Sequence, residues 1–136
     1  MCEIAHGRYI ADTRVELTHL ASGAALVTDP AREHRGGGTS FSPMDLAACA
    51  LGTCAMTIMT IVAARLGADL SGMRMEVRHA LAADRRRIAS VGITLHLPAG
   101  VPGSARPQLE AAAHNCPVRN SLHPDVKVTL DFVYDC

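Results

Sequence analysis

The chain has 136 residues, enough for one domain that buries roughly two thirds of its unfolded surface. Its 13 acidic and 13 basic residues balance, which removes the electrostatic case for a nucleic-acid or anionic-membrane partner. All the basic residues but Lys127 are arginine, a pattern read as coding bias before anion recognition.

The opening Met1–His6 has no basic region followed by an apolar run, so no secretory signal is expected. Five cysteines in such a chain argue against an extracellular disulfide framework, and the expected location is the cytoplasm. A reducing compartment leaves each thiol either as a small core residue or as a chemical group.

In chain order, Glu3 to Ile10 reads as a short, weakly patterned strand. From Arg14 to Leu20, Val15, Leu17 and His19 alternate with Arg14, Glu16 and Thr18, the period of a half-buried strand. Ser22-Gly23 marks a hairpin turn and Ala24 to Thr28 the returning strand. Asp29 to Phe41 carries Pro30, Gly36, Gly37, Gly38 and no periodicity, and is expected to be a mobile charged loop. It is no phosphate-binding P-loop, because no Gly-Lys-Ser follows and the next helix opens with Ser-Pro.

Ser42 to Leu66 is the longest apolar run. Ser42 is placed as N-cap, Pro43 as first helical residue and Asp45 as the capping-box carboxylate. No charge occurs between Leu46 and Ala64, so the helix is apolar on every face and must be covered on most of them. It is long enough to span a bilayer. Its alanines and threonines and the lack of flanking Trp or Tyr favour a buried core helix instead. One sheet can cover one side; the small residues Ala47, Ala48, Ala50 and Gly52 would admit a second copy's helix on the other, which predicts a homodimer.

Gly67 ends the helix. Met73 to Leu81 and Val91 to Leu97 both alternate cleanly and are joined by a charged turn, Asp84 to Arg87, so they form an antiparallel hairpin. A helix follows near Ser104, with Leu109, Ala112, Ala113 and Cys116 on one face. Pro117 interrupts it, Val118 to Leu122 adds a turn, and Val126 to Tyr134 is the last strand. The fold class is α+β: mainly antiparallel sheets packed around a long buried central helix, in a single domain spanning 1–136.

Cys54, in mid-helix, and Cys116, on the apolar face of the later helix, point to the same core. Cys116 precedes Pro117 and would cap the following turn, where unpaired N–H groups favour a thiolate. Packing alone also accounts for either residue, since free cysteine behaves as a small hydrophobe. Cys49 lies five residues from Cys54 on another helix face and reads as core; Cys2 and Cys136 are terminal. His79 is on an apolar strand face, while His6, His34, His96, His114 and His123 fall on loops, helix ends or a solvent-facing strand side. Without a CxxC or HxxxH spacing, neither a metal nor any other cofactor is expected.

The run GGG-TSF-SPMDL-AACALGTCAMT, with NCPVRNSL some sixty residues later, resembles the OsmC/Ohr family of osmotically inducible and organic-hydroperoxide-resistance proteins. Cys54 stands eleven residues after Pro43, and Cys116-Pro117-Val118 matches the family's Cys-Pro-Val. The resemblance implies an OsmC-like intertwined homodimer acting as a thiol peroxidase on organic hydroperoxides. Cys54 would be the peroxidatic thiolate and Cys116 the resolving thiol, joined as an intramolecular disulfide that a dithiol reductant reopens. The family's thiolate-stabilising arginine maps near Arg14, with Arg8 and Arg35 as rivals. In the organic-hydroperoxide branch a glutamate follows the helix-opening proline. Here Met44 stands there and Asp45 comes one residue later, roughly 100° round the helix. That difference keeps a second function open, a weakly catalytic or non-catalytic redox-sensing or small-ligand-binding protein of the same fold.

Overall fold

The computed structural model describes residues 1–84 and 86–136, so one position of the charged turn, Arg85, lies outside the described residues. The described chain groups into two compact units, 1–47 and 48–136.

In the first unit, β1 (Ala5–Ala11), β2 (Arg14–His19) and β3 (Ala25–Thr28) form an antiparallel meander in the order β1-β2-β3. The first hairpin turns at Asp12, whose φ of 55° is left-handed, a conformation that aspartate tolerates. Gly23 provides the second at φ 70°. No aliphatic or aromatic side chain of this unit is buried; Tyr9, Ile10, Val15, Leu20, Leu26 and Phe41 are exposed.

The segment expected to be a mobile loop is instead tightly built. Its neck is closed by the Asp29 N–H donating to the Phe41 carbonyl at 3.0 Å. Asp29, buried at the entry, accepts from the Gly37 N–H, the Thr39 N–H and the Thr39 hydroxyl at 2.9, 3.1 and 2.6 Å. A Cβ on Gly36 would stand 1.7 Å from the Pro30 carbonyl oxygen, so this glycine is required by close backbone approach. The Gly36 and Gly38 N–H groups donate back to the Ala31 and Pro30 carbonyls at 3.1 and 3.0 Å, and Arg32–His34 between them form a short 3-10 turn.

Helix α1 (Pro43–Leu66) opens with the capping box as read from the sequence. The Ser42 hydroxyl accepts from the Asp45 N–H at 3.1 Å, and the Asp45 carboxylate accepts from the Ser42 N–H at 2.8 Å. Gly67 stops it at φ 65°.

In the second unit, β4 (Arg74–Leu81) and β5 (Ile88–Leu97) form the expected antiparallel hairpin. Strand β6 (Lys127–Tyr134) then pairs with β5 in parallel. Helices α2 (Arg106–His114) and α3 (Pro117–Ser121) supply the crossover that a parallel pair needs. The other three strand pairings are antiparallel, so the fold is α+β as expected.

Ala48, Leu51, Gly52, Ala55, Met59 and Ala63 form the buried stripe of α1. It faces the sheet side carrying Val91, Ile93, Leu95 and Leu97, with Leu109 and Ala113 of α2 completing the core. Gly52 corrects one reading: a Cβ there would lie 2.6 Å from Met75 Sδ and 3.4 Å from Ile93 Cδ1. Gly52 and Ala48 therefore bring α1 close to its own sheet, not to a second helix. The opposite face, with Ala47, Ala50, Thr53, Thr57, Thr60, Ile61 and Ala64, is exposed. Among the described residues α1 is the one helix long and apolar enough to cross a membrane, and a third of its apolar window is buried.

Candidate functional site: a pair of thiols between two helices

Cys54 flanks the buried stripe of α1, one residue before Ala55, and is therefore half-buried. Cys116 arrives from the end of α2. Pro117 disfavours helical dihedrals in the residue before it. Cys116 accordingly adopts φ −66°, ψ 148° and becomes the N-cap of α3, with no exposure to solvent. Its Asn120 and Arg119 neighbours brace it. The Asn120 side chain donates to the Asn115 carbonyl at 3.3 Å and Arg119 Nη1 to the His114 carbonyl at 3.0 Å, one bond spanning each side of the bend.

The two thiols are near enough for Cys54 to influence the ionisation of Cys116. Burial pushes the Cys116 thiol up from its usual 9.0, the N–H groups of Arg119 and Val118 at the start of α3 draw it down, and the neighbouring Cys54 raises it again. These N–H groups approach the sulfur without closing a hydrogen bond. The sequence-based expectation that the cap favours a Cys116 thiolate is therefore reversed: desolvation outweighs the N–H groups of a helix only five residues long. Cys116 is a protonated thiol at neutral pH, near the half-buried Cys54. Two such sulfurs can exchange between dithiol and disulfide.

Arg14, the third predicted site residue, opens β2 in the N-terminal unit. Its guanidinium is among the influences that hold the Asp29 carboxyl below the usual carboxylate range, after the bonds from Thr39 and Gly37. Of its rivals, Arg8 is committed to Glu16 at 2.8 Å across the β1–β2 pair, and Arg35 occupies the left-handed end of the 3-10 turn. Asp45 is engaged in the helix cap, so it does not stand in for a glutamate at Met44.

A family model described as OsmC-like protein matches residues 36–131. The chain belongs to the OsmC-like family. Among solved structures it is similar to an osmotic stress induced and detoxification response protein from Psychrobacter arcticus 273-4. That pair is 31% identical over 97% of this chain and 96% of the other, with a TM-score of 0.92. It is also similar to an organic hydroperoxide resistance protein OsmC from Legionella pneumophila, described as a predicted redox protein and regulator of sulfide bond formation. There the identity is 26%, the coverage 96% and 95%, and the TM-score 0.69. An organic hydroperoxide resistance protein from Vibrio cholerae, with captopril in one of its active sites, shares the fold at 18% identity, 97% and 92% coverage and TM-score 0.72. No curated protein matches the chain. The OsmC-like family is thus associated with organic hydroperoxide resistance and redox chemistry.

Several polar residues of this OsmC-like chain escaped the sequence reading. In the sequence Asp29 belongs to an irregular loop, and nothing in its neighbours signals a buried carboxylate. The alternation of β5 puts His96 on a solvent-facing strand side, yet its side chain is only 13% exposed. Its Nδ1 lies 2.9 Å from Asp135, which the parallel β5–β6 pair brings alongside. Arg119 follows the Cys-Pro-Val motif directly, a position at which an arginine beside a cysteine was the available signal. Among the described residues no group of three or more His, Cys, Asp or Glu could hold a metal ion.

Proposed function

We propose that this protein is a thiol peroxidase that reduces organic hydroperoxides. The observation that carries the reading is the proximity of a half-buried Cys54 to a buried, protonated Cys116, in a family associated with hydroperoxide resistance. The Cys54 thiolate attacks the terminal peroxide oxygen; the O–O bond breaks, and the alkoxide leaves and takes a proton to become an alcohol. Cys54 is then a sulfenic acid. The Cys116 sulfur attacks the Cys54 sulfur and expels the hydroxyl, which leaves as water with the Cys116 proton. The resulting disulfide is reduced by a dithiol, itself oxidised to its disulfide, restoring both thiols.

The active form is read as a homodimer in the cytoplasm. Two observations support the second copy. The N-terminal sheet has no buried apolar side chain, and a small sheet without a covered hydrophobic face is not independently stable. The exposed face of α1 also has its hydroxyls internally satisfied. Those of Thr53, Thr57 and Thr60 donate to the carbonyls of Ala50, Thr53 and Thr57 at 3.1, 2.8 and 2.7 Å.

The test is to treat the reduced protein with one equivalent of tert-butyl hydroperoxide and map its thiols by mass spectrometry. A Cys54–Cys116 disulfide with release of the alcohol is the expected result. A Cys54 that remains a free thiol while peroxide persists would overturn the reading.

A further inference from the structure

Helix α3, Pro117–Ser121, is only five residues long. Isolated helices shorter than about 12–15 residues are marginal in water, so the placement of α3 and of the Cys116 bend depends on ties to the rest of the chain. Val118 and Leu122 pack against the core. Two side-chain bonds run back across the bend, from Asn120 to the Asn115 carbonyl at 3.3 Å and from Arg119 Nη1 to the His114 carbonyl at 3.0 Å. The second is the charge-assisted one, and it lands on the last turn of α2, whose carbonyls lack helical partners. This guanidinium is not placed for stability alone. Its Nε is shut off from solvent and has no acceptor among the described residues, an unfavourable state that an arginine extended into water would avoid. The Arg119 main-chain N–H, meanwhile, is one of the two that approach the Cys116 sulfur. One residue therefore holds the bend from both ends, with its side chain on His114 and its amide at Cys116.

We propose that Arg119 is a positioning residue for the Cys54–Cys116 pair, its bond to the His114 carbonyl fixing the bend so that the Cys116 sulfur stays within reach of Cys54. The assignment rests on the dithiol–disulfide exchange of the proposed function and names the residue that sets its efficiency. In this structure the two cysteines are thiols. A disulfide closes only within narrow limits of backbone separation and dihedral angle. The effective concentration of one thiol at the other is therefore sensitive to small displacements, and a misplacement of about 1 Å costs on the order of 100-fold.

The experiment equilibrates the full chain in buffers of graded reduced and oxidised glutathione and quantifies the Cys54–Cys116 disulfide by thiol alkylation and mass spectrometry. The protein dithiol gives two electrons and two protons to one glutathione disulfide, which becomes two glutathione thiols. Arg119→Met should lower the effective thiol concentration by about tenfold or more. Arg119→Lys keeps a charged donor for the His114 carbonyl and should recover most of that loss. Arg119→Gln, shorter and neutral, should fall between the two, and it decides the question if the Met variant does not fold. Urea midpoints separate positioning from stability, since an arginine that only stabilised the fold would move the midpoint and leave the disulfide equilibrium of the folded chain unchanged. With excess tert-butyl hydroperoxide, Arg119→Met should carry more Cys54 to sulfinic acid than the parent does, a second peroxide becoming its alcohol as the sulfenic acid gains an oxygen. A parent that forms the disulfide in glutathione yet leaves peroxide unreduced would sink the peroxidase reading and leave Arg119 in its role. Equal effective concentrations in the parent and the neutral variants, no recovery by Lys, or no Cys54–Cys116 disulfide in the parent would each overturn the proposal.

Discussion

Cys116 holds its thiol out of solvent near the half-buried Cys54, and that proximity helps keep Cys116 protonated above the usual thiol range. On the peroxidase reading this sets an order of events, because the buried thiol enters only after the half-buried one has been oxidised. Replacing Cys54 by Ser should abolish peroxide turnover. Replacing Cys116 by Ser should permit one turnover and then let Cys54 proceed to sulfinic acid, seen as added oxygen by mass spectrometry. The pH dependence follows from the sign of the shift. A Cys116 raised above 9.0 means that the resolving step, timed by stopped flow after a peroxide pulse, should still be accelerating at pH 9.

Gly52 is where α1 approaches its sheet most closely, with Met75 Sδ 2.6 Å from the position of a Cβ. Gly52→Ala gains helix propensity but must displace Met75 and press on Ile93. A net loss of about 1–3 kcal/mol in denaturant unfolding is expected, the usual range for overpacking a core. Gly67→Ala would be strained by its positive φ instead, with open space around it.

Asp29 is depressed by the bonds from Thr39 and Gly37, so its folded pKa lies below its unfolded one. The folded chain then binds fewer protons, and the contribution is present above the unfolded value and lost as pH falls through the folded one. Asp29→Asn should lower protection of the Gly37 and Thr39 amides from hydrogen exchange at pH 7. The gap between variant and parent should narrow below about pH 4.

Tyr134 behaves in the opposite sense. Burial first, then its hydrogen bond to Glu110 at 3.0 Å and the charge of that carboxylate, push its phenol up to about 12. Arg106, 3.9 Å above the ring, opposes them. Between pH 10 and about 12 the folded chain holds a proton that the unfolded chain has released. Stability is therefore intact below pH 10 and lost as pH rises through 12. Tyr134→Phe should cost about 1 kcal/mol at pH 7 and flatten this alkaline decline, read from urea midpoints across pH.

The uncovered face of α1 is the place to test the proposed dimer. Thr57→Arg puts a charge in the middle of that face, while its site in the folded chain is exposed. Sedimentation should show the parent as a dimer and the variant shifted toward monomer.

Much of this molecule is determined locally and can be read from residues in order. The capping box of Ser42 and Asp45, the stop at Gly67 and the period-two alternation of β4 and β5 each depend on neighbours a few residues away. So does the turning of Cys54 and Cys116 toward one core. The tertiary structure alone decided the parallel pairing of β6, the use of Gly52 against Met75, and the buried Asp29 that turns an irregular segment into a fixed loop. It also decided which thiol of the pair keeps its proton. A local cap argument favoured ionising Cys116; removal of its sulfur from water by α1, α2 and the sheet reversed that. Sequence spacing sets which groups can meet, whereas desolvation depends on everything packed around them, and that is known only once the chain has closed.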